Sequence, residues 1–317
     1  MSREFKEIAV IGAGLMGCSL ALALKKQFSQ LKLTMLVKNP EQQEDLAKIL
    51  DDVQITTNYT ALAEAEVIFI ATPLSSYADI FVQLNDSNLH PEVIISDLGS
   101  VKASLVKLAQ DKLNYNFVAA HPIAGSEISG VGAYVEDLYK GKKLLITSDV
   151  SRETEIVAKI WQDLGMQVSY ISAAEHDRIY AYISHLVQKI AFAAADIFNE
   201  EEQKNVEFLR LCKSNPKLWA DIFAFNEDAL NAAEDVLKKF LSEQLATFAP
   251  QETSNNVVLD LESKLNFLAL IAICLKKLVN DFGYADYAGS AYKDLLKLTT
   301  YFSPDKKLGN FSNLFFV

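Results

Sequence analysis

The chain has 317 residues, 50% of them hydrophobic and 22% charged, a composition that builds globular domains and leaves room for two of them around a large core. Its net charge of −11 argues against a nucleic-acid surface or an anionic membrane as partner, so an acidic substrate has to be gripped by local cations. Cys18, Cys212 and Cys274 are odd in number and lack CxxC spacing, which argues against a disulfide framework or a structural zinc site. A first strand within ten residues of Met1 leaves no room for a signal peptide, and the apolar stretch 267–275 is too short to span a bilayer. A soluble protein of the reducing cytoplasm is expected.

Ile8, Ala9, Val10 and Ile11 form a short apolar run of the kind that fills a parallel sheet covered on both faces, and Gly12-x-Gly14-x-x-Gly17 follows at once. Gly12 permits the tight turn, Gly14 leaves room for a pyrophosphate, and Gly17 lets the following helix pack close to the strand. The helix amino terminus, at Leu15 and Met16, turns unpaired N–H groups and the positive end of its dipole toward the phosphates. Strand, turn and helix together predict a dinucleotide site; a tight turn without a ligand is the alternative.

Residues 31–37 (LKLTMLV) read as the second strand, and Pro40 starts a helix to about residue 50. The runs VIFIAT (67–72), VIISD (93–97), FVAA (117–120) and LLIT (144–147) follow, most of them separated by helical patterns. With MQVSYI (166–171) as the last strand, the alternation predicts a doubly wound, mostly parallel sheet with helices on both faces, an α/β Rossmann domain over residues 1–171. An acid that grips the ribose of NAD is expected about 20 residues past the glycine turn, near Val37. Val37 is apolar, Lys38 follows it, and the nearest acid, Glu41, lies beyond Pro40. NADP is therefore the expected cofactor, with Lys38 near its 2′-phosphate; the alternative is NAD and a solvated Lys38.

Ser172-x-x-Glu175 is a capping box that opens a helix able to run to residue 198, and from there on only helices are predicted. Ile179, Ile183, Leu186, Ile190 and Ala194 recur every three or four residues as one buried stripe, with Asp177, Ala181, Ser184 and Gln188 on the opposite side. The charged stretch 199–205 breaks the pattern, Pro216 restarts it as a first-turn proline, a long helix follows toward residue 248, and 249–256 is a loop. Residues 257–282 form a helix more apolar than a monomer surface tolerates. This all-α domain, 172–317, is accordingly expected to bury surface against a second copy as a homodimer. Residues 283–317 are the least readable.

In an open parallel sheet, ligands lie beyond the carboxyl ends of the strands, and this rule sorts the four histidines. His90 precedes a strand and drops out. His121 stands directly after FVAA, in HPIAGSE, where it either faces the nicotinamide end of a cofactor or closes the strand by bonding backbone. His176 and His185, nine residues apart on opposite sides of the long helix, cannot both face one pocket. Ser100 ends the turn in DLGSVK as an N-cap, a substrate contact or both. Thr72-Pro73 closes its strand, where the threonine hydroxyl touches the cofactor or the proline simply ends pairing.

DLGSVK, HPIAGSE followed by SGVGA, EHDRIYAYISHL and FLRLCKSNPKLWADI occur in the order and spacing of the prephenate and arogenate dehydrogenases of tyrosine biosynthesis. The chain resembles that family over roughly residues 7–235. The resemblance implies that His121 is the base that takes the proton from the ring hydroxyl of the substrate, that Ser100 contacts the same hydroxyl, and that Arg210, in Leu209-Arg210-Leu211-Cys212, binds a substrate carboxylate. Ser184, His185 and Gln188, in the segment matching the family's SHLPH, are the further substrate contacts it implies. The implied reaction is NAD(P)-dependent oxidative decarboxylation. Loss of a hydride from the hydroxyl-bearing ring carbon lets the ring carboxylate leave as carbon dioxide, and the ring becomes aromatic without help from a metal. A neutral histidine suits the hydroxyl proton, and a guanidinium matches a carboxylate with two parallel bonds, unless Arg210 is an ordinary surface arginine.

Three departures stand out. SHLVQ replaces SHLPH, so Gln188 stands where the family has a second histidine. Asn205-Val206-Glu207 replaces the usual Gly-Gly before the arginine segment. No amino-acid-binding regulatory domain is expected after the helices, nor a mutase domain before the first strand, so feedback by tyrosine through such a domain is not expected. Gln188 cannot protonate and offers a carbonyl oxygen, and Asp177 adds negative charge, which tilts the site toward the ammonium of arogenate; a Gln188 that only fills a helix surface is the alternative. The rival enzyme is a reductase of the β-hydroxyacid dehydrogenase type, whose catalytic lysine would be Lys189 and against which HPIAGSE argues. The rival of another class is a catalytically silent dinucleotide-binding sensor.

Overall fold

The computed structural model describes residues 5–126, 130–195, 198–246 and 261–301, and the chain forms two compact units, Met1–His176 and Asp177–Val317. In the first, β1 (Glu7–Ile11), α1 (Leu15–Gln27), β2 (Lys32–Leu36), α2 (Gln42–Ala47), β3 (Gln54–Thr56), β4 (Val67–Ile70), α3 (Tyr77–Asn85), β5 (Ile94–Asp97), α4 (Ala103–Lys112) and β6 (Asn116–Val118) alternate strand and helix. The six strands are all parallel in the order β3-β2-β1-β4-β5-β6, so the winding reverses between β1 and β4. That reversal places the glycine turn after β1 at the switch point of the sheet. β1 and β4 are buried at every position because helices cover both faces, which is why they read as unbroken apolar runs.

β3 was not anticipated. It is an edge strand, and Gln-Ile-Thr with its exposed first residue carries no apolar run to announce it. The segment FVAA is not one strand either. β6 ends at Val118, paired with Ser96 of β5, and the chain then enters a separate three-stranded sheet made of β7 (Ala120–Pro122), β8 (Lys143–Ile146) and β9 (Gln167–Tyr170). β7 runs antiparallel to β8, and β8 runs parallel to β9. The strand expected to finish the main sheet therefore finishes this second one, with α5 (Arg152–Asp163) between β8 and β9. Trp161 of α5 stacks edge-on against Phe69 of β4, ring centroids 5.6 Å apart, and so joins the core of the main sheet.

The helix opened by Ser172, whose hydroxyl accepts from the Glu175 N–H at 3.2 Å, is α6 (Ala173–Tyr180), and it carries the chain into the second unit. A π-helical turn, Ala181–His185, separates it from α7 (Leu186–Ala195), so the single helix expected to residue 198 is widened in its middle. Asp177, Ala181 and Gln188 are buried, contrary to the expected polar side, because other helices surround this one. The charged stretch after it is itself a helix, α8 (Glu200–Asn205), capped by Asn199 Oδ1, which accepts from the Glu201 and Glu202 N–H groups. Pro216 does occupy a first turn, in α9 (Pro216–Phe225), but Asn226 ends that helix and α10 (Glu227–Ala246) starts anew.

α11 (Leu261–Asp281) contains the apolar run read as a sign of a second subunit, yet Phe267 through Ala272 are all buried by the unit itself, against α10 and the turn Leu298–Tyr301. Its composition thus reflects a central position in its own unit. α12 (Ser290–Lys297) is the last α-helix among the described residues and leads into the 3-10 turn Leu298–Tyr301. The expected loop 249–256 lies outside the described residues.

Candidate active site

The three glycines of the turn do three different things. Gly12 sits at φ +106°, and a Cβ there would lie 2.7 Å from the Ala71 carbonyl oxygen; a Cβ at Gly17 would lie 1.9 Å from the Gly12 oxygen. A Cβ at Gly14 would meet nothing within 4 Å, so the bare face of the turn opens away from the protein. α1 starts at Leu15 with no side-chain cap and no acidic residue in its first turn, which leaves the N–H groups at Leu15, Met16 and Gly17 for an anion. These features fit a pyrophosphate. The segment after HPIAGSE folds back on this turn: the Gly132 N–H donates to the Ala13 oxygen (2.9 Å), the Val135 N–H to Ser19 Oγ (3.0 Å) and the Tyr139 hydroxyl to the Met16 oxygen (2.6 Å).

Thr72 and Pro73 follow β4 beside the turn, since the Thr72 methyl would be 2.8 Å from a Cβ at Gly12. Thr72 Oγ1 accepts from Ser76 Oγ at 2.9 Å, and Pro73 precedes the short 3-10 turn Leu74–Ser76. Past the end of β2, Val37 is buried and Lys38 is exposed, with no ion pair to Lys38 among the described residues.

Ser100 is not a helix cap. α4 starts three residues later with Lys102 in the cap position, and Lys102 sends its side chain inward instead. Asp97 and Lys102 are wholly buried and paired; Asp97 Oδ1 accepts from the Ala120 N–H (2.9 Å) and Oδ2 from the Gly99 N–H (2.7 Å). Lys102 Nζ also donates to the Ala120 oxygen (2.7 Å). Burial pushes the Asp97 carboxyl above the usual carboxylate range, opposed by Lys102 and the two N–H groups.

His121 is the middle residue of β7, and its Nδ1 lies 2.9 Å from Nε2 of His176, a residue to which the sequence reading assigned no role. Both rings are buried, 5.1 Å apart between centroids at 65°. A bond between two ring nitrogens holds one proton, so one imidazole donates while the other accepts. His90, set aside from the sequence, is exposed, and its Nδ1 accepts from the Glu92 N–H at 3.2 Å.

In the helical unit, Arg210 lies in the 3-10 helix Glu207–Lys213 and its side chain is 36% exposed. Its Nη2 donates to Asp294 Oδ2 at 2.6 Å, and Lys297 bridges Asp294 (3.1 Å) and Glu207 (2.8 Å). Burial works to raise the Asp294 carboxyl, but the bonds from Arg210 and Lys297 outweigh it and hold the group below its ordinary range. Gln188 does not fill a helix surface: it is buried, and its Nε2 donates to the Leu211 oxygen at 2.8 Å, fastening the turn that carries Arg210. His185 Nδ1 accepts from Asn226 Nδ2 (2.9 Å), which also donates to the Asp177 oxygen (3.0 Å). Ser184 is half-buried in the π-helical turn. Lys189, the lysine the rival reductase would need, is spent on a surface ion pair with Glu234.

A parallel sheet wound in this order, with an open glycine turn at its reversal, is the arrangement of a dinucleotide-binding domain. Residues 20–170 match the family model described as prephenate dehydrogenase, nucleotide-binding domain, and residues 172–263 match prephenate dehydrogenase, dimerization domain. The chain belongs to the prephenate dehydrogenase family. The cyclohexadienyl dehydrogenase of Zymomonas mobilis is 31% identical to it over 249 residues, 71% of this chain and 83% of that protein. The prephenate dehydrogenase of Bacillus subtilis is 27% identical over 278 residues, 81% and 74% of the two chains. Among solved structures, the prephenate dehydrogenase of Aquifex aeolicus in complex with hydroxyphenyl propionate and NAD+ aligns with a TM-score of 0.71 at 28% identity, over 78% of this chain and 91% of that one.

Proposed function

We propose that this protein catalyses the NAD(P)-dependent oxidative decarboxylation of prephenate or arogenate to 4-hydroxyphenylpyruvate or tyrosine, with His121 as the base. The observation that carries this reading is the buried contact between His121 on β7 and His176 on α6: with Nδ1 turned to His176, Nε2 is the nitrogen assigned to the substrate's ring hydroxyl. A nicotinamide cofactor held at the glycine turn, residues 12–17, would supply the acceptor for the hydride of the hydroxyl-bearing ring carbon. His121 takes the hydroxyl proton as that carbon becomes a carbonyl. The ring carboxylate then leaves as carbon dioxide, its bonding electrons pass into the ring and onto the oxygen, and His121 returns the proton to the new phenol. Ser100 donates to the same oxygen. Arg210, oriented through Asp294, binds a substrate carboxylate, and Ser184 and His185 contact the ring substrate; Gln188 acts by fastening the backbone beside Arg210.

For the cofactor, Gly12, Gly14, Leu15, Met16 and Gly17 receive the pyrophosphate, with Thr72 and Pro73 beside them. NADP is the preferred form in this reading, supported by exposed Lys38 at the end of β2 with no acid in its place. NAD is the second reading, because the Aquifex relative is in complex with NAD+. We assign residues 1–171 to the cofactor and 172–317 to a helical domain that forms a homodimer, supported by the dimerization domain it matches. Three free thiols suit a cytoplasmic enzyme. Reduction of NADP and NAD assayed with prephenate and with arogenate is the test. Reduction coupled to release of carbon dioxide is expected, and none with either ring substrate would leave the silent-sensor reading standing.

A further inference from the structure

Among the described residues β7 is an edge strand, paired with one other strand, β8. The Ala119 oxygen accepts from the Thr147 N–H at 2.9 Å and the Ile123 N–H donates to the Lys143 oxygen at 2.8 Å, so odd-numbered backbone groups of this strand face β8. Ala120 therefore faces the open edge, where a fourth strand would normally bond it. Asp97 and Lys102 do that in its place: the carboxylate takes the Ala120 N–H and the ammonium takes the Ala120 oxygen. The same carboxylate takes the Gly99 N–H, at an approach so close that a Cβ at Gly99 would be 2.9 Å from Asp97 Oδ2. A buried ion pair is costly to desolvate, and well-packed apolar residues often stabilise a core as much. Apolar residues cannot supply two acceptors and a donor at fixed spacing to two separate backbone segments.

We propose that Asp97 and Lys102 form a positioning pair that sets Ser100 and His121 in register with one another. Ser100 follows Gly99 and His121 follows Ala120, so each proposed catalytic side chain is one residue from a backbone group fixed by the same carboxylate. The pair spans the break between the six-stranded sheet, where Asp97 ends β5, and the three-stranded sheet that carries His121. This inference rests on the proposed roles of His121 and Ser100.

The test is the joint substitution Asp97→Asn with Lys102→Met, which removes both charges together, takes the donor from the Ala120 oxygen and leaves one amide oxygen for two N–H groups. Misplacing reacting groups by a fraction of an ångström to one ångström is expected to lower kcat by roughly 10- to 100-fold, with the KM for cofactor within about twofold because the glycine turn is untouched. Placed on top of His121→Asn with Ser100→Ala, the same pair should lower the residual rate by less than about threefold, since a positioning pair acts through the groups it positions. A folded variant with wild-type kcat, or the same fold-loss in both backgrounds, overturns the proposal. Hydrogen exchange on the wild-type enzyme needs no variant: the Gly99 and Ala120 amides should be strongly protected, and exchange at the rate of exposed loop amides also overturns it. If His121→Asn alone keeps wild-type kcat, the base assignment fails instead, and the exchange rates still report on the clamp.

Discussion

His121 Nδ1 and His176 Nε2 lie 2.9 Å apart between residues separated by 55 positions, with both rings buried. A base that gains a proton during turnover is stabilised by an acceptor at its other nitrogen, and a hydrogen bond to a charged group contributes about 1.5–3 kcal/mol. His121→Asn should lower kcat by ~10²–10⁴-fold while cofactor binding is kept. His176→Leu should cost less, roughly 10- to 100-fold in kcat, and His176→Gln should recover part of that because its amide can still bond Nδ1. Steady-state kinetics with a cofactor titration checks all three. Equal rates for His176→Leu and wild type would remove His176 from the mechanism.

The glycine turn separates folding from binding. Gly17→Ala drives a methyl into the backbone oxygen of Gly12, 1.9 Å away, and should destabilise the protein by on the order of 3 kcal/mol or prevent folding. Gly14→Ala adds its methyl to open space and should leave thermal unfolding within a few degrees of wild type while raising the KM for cofactor. A Gly14→Ala enzyme with unchanged cofactor KM would mean that the pyrophosphate lies elsewhere.

Arg210 is shared between Asp294 and, in the proposed reaction, the substrate. Arg210→Gln should raise the KM for the ring substrate by about tenfold or more with kcat little changed, because a carboxylate contact is present before and during hydride transfer. Asp294→Asn should raise it less. The Asp294 carboxyl is held low in the folded protein, so its stabilising contribution is complete above the ordinary aspartate pKa of about 3.9 and is lost as pH falls through the lower folded value. The Tm of wild type should therefore exceed that of Asp294→Asn near neutral pH, and the two should converge in acid. Parallel Tm curves down to the acid limit would contradict the ion pair.

Lys38 is exposed past the end of β2 and has no ion pair among the described residues. If it meets a 2′-phosphate, Lys38→Ala should lower kcat/KM for NADP by about tenfold and leave the value for NAD nearly unchanged. A tenfold wild-type preference for NAD would overturn the NADP assignment.

Features that depend on neighbouring residues alone were legible in the chain. The glycine turn follows from the φ and space each glycine allows, β1 and β4 announce themselves because burial on both faces demands unbroken apolar runs, and Pro216 and Ser172 mark helix starts through local capping. The motifs DLGSVK, HPIAGSE and EHDR already held residues of the candidate site in order. Their pairing was decided elsewhere. That FVAA splits between two sheets, that Lys102 turns to Asp97 and displaces Ser100 from the cap, that His176 meets His121 and that Asp294 meets Arg210 from 84 residues away are all matters of which distant backbone or charge arrives beside a residue. The apolar α11 makes the same point, since composition prescribes that it be covered but not by which helices. Local conformational preference acts over a few residues and is written in them. Hydrogen-bond partners and buried charge pairs are selected only when the packed fold removes water from both members at once.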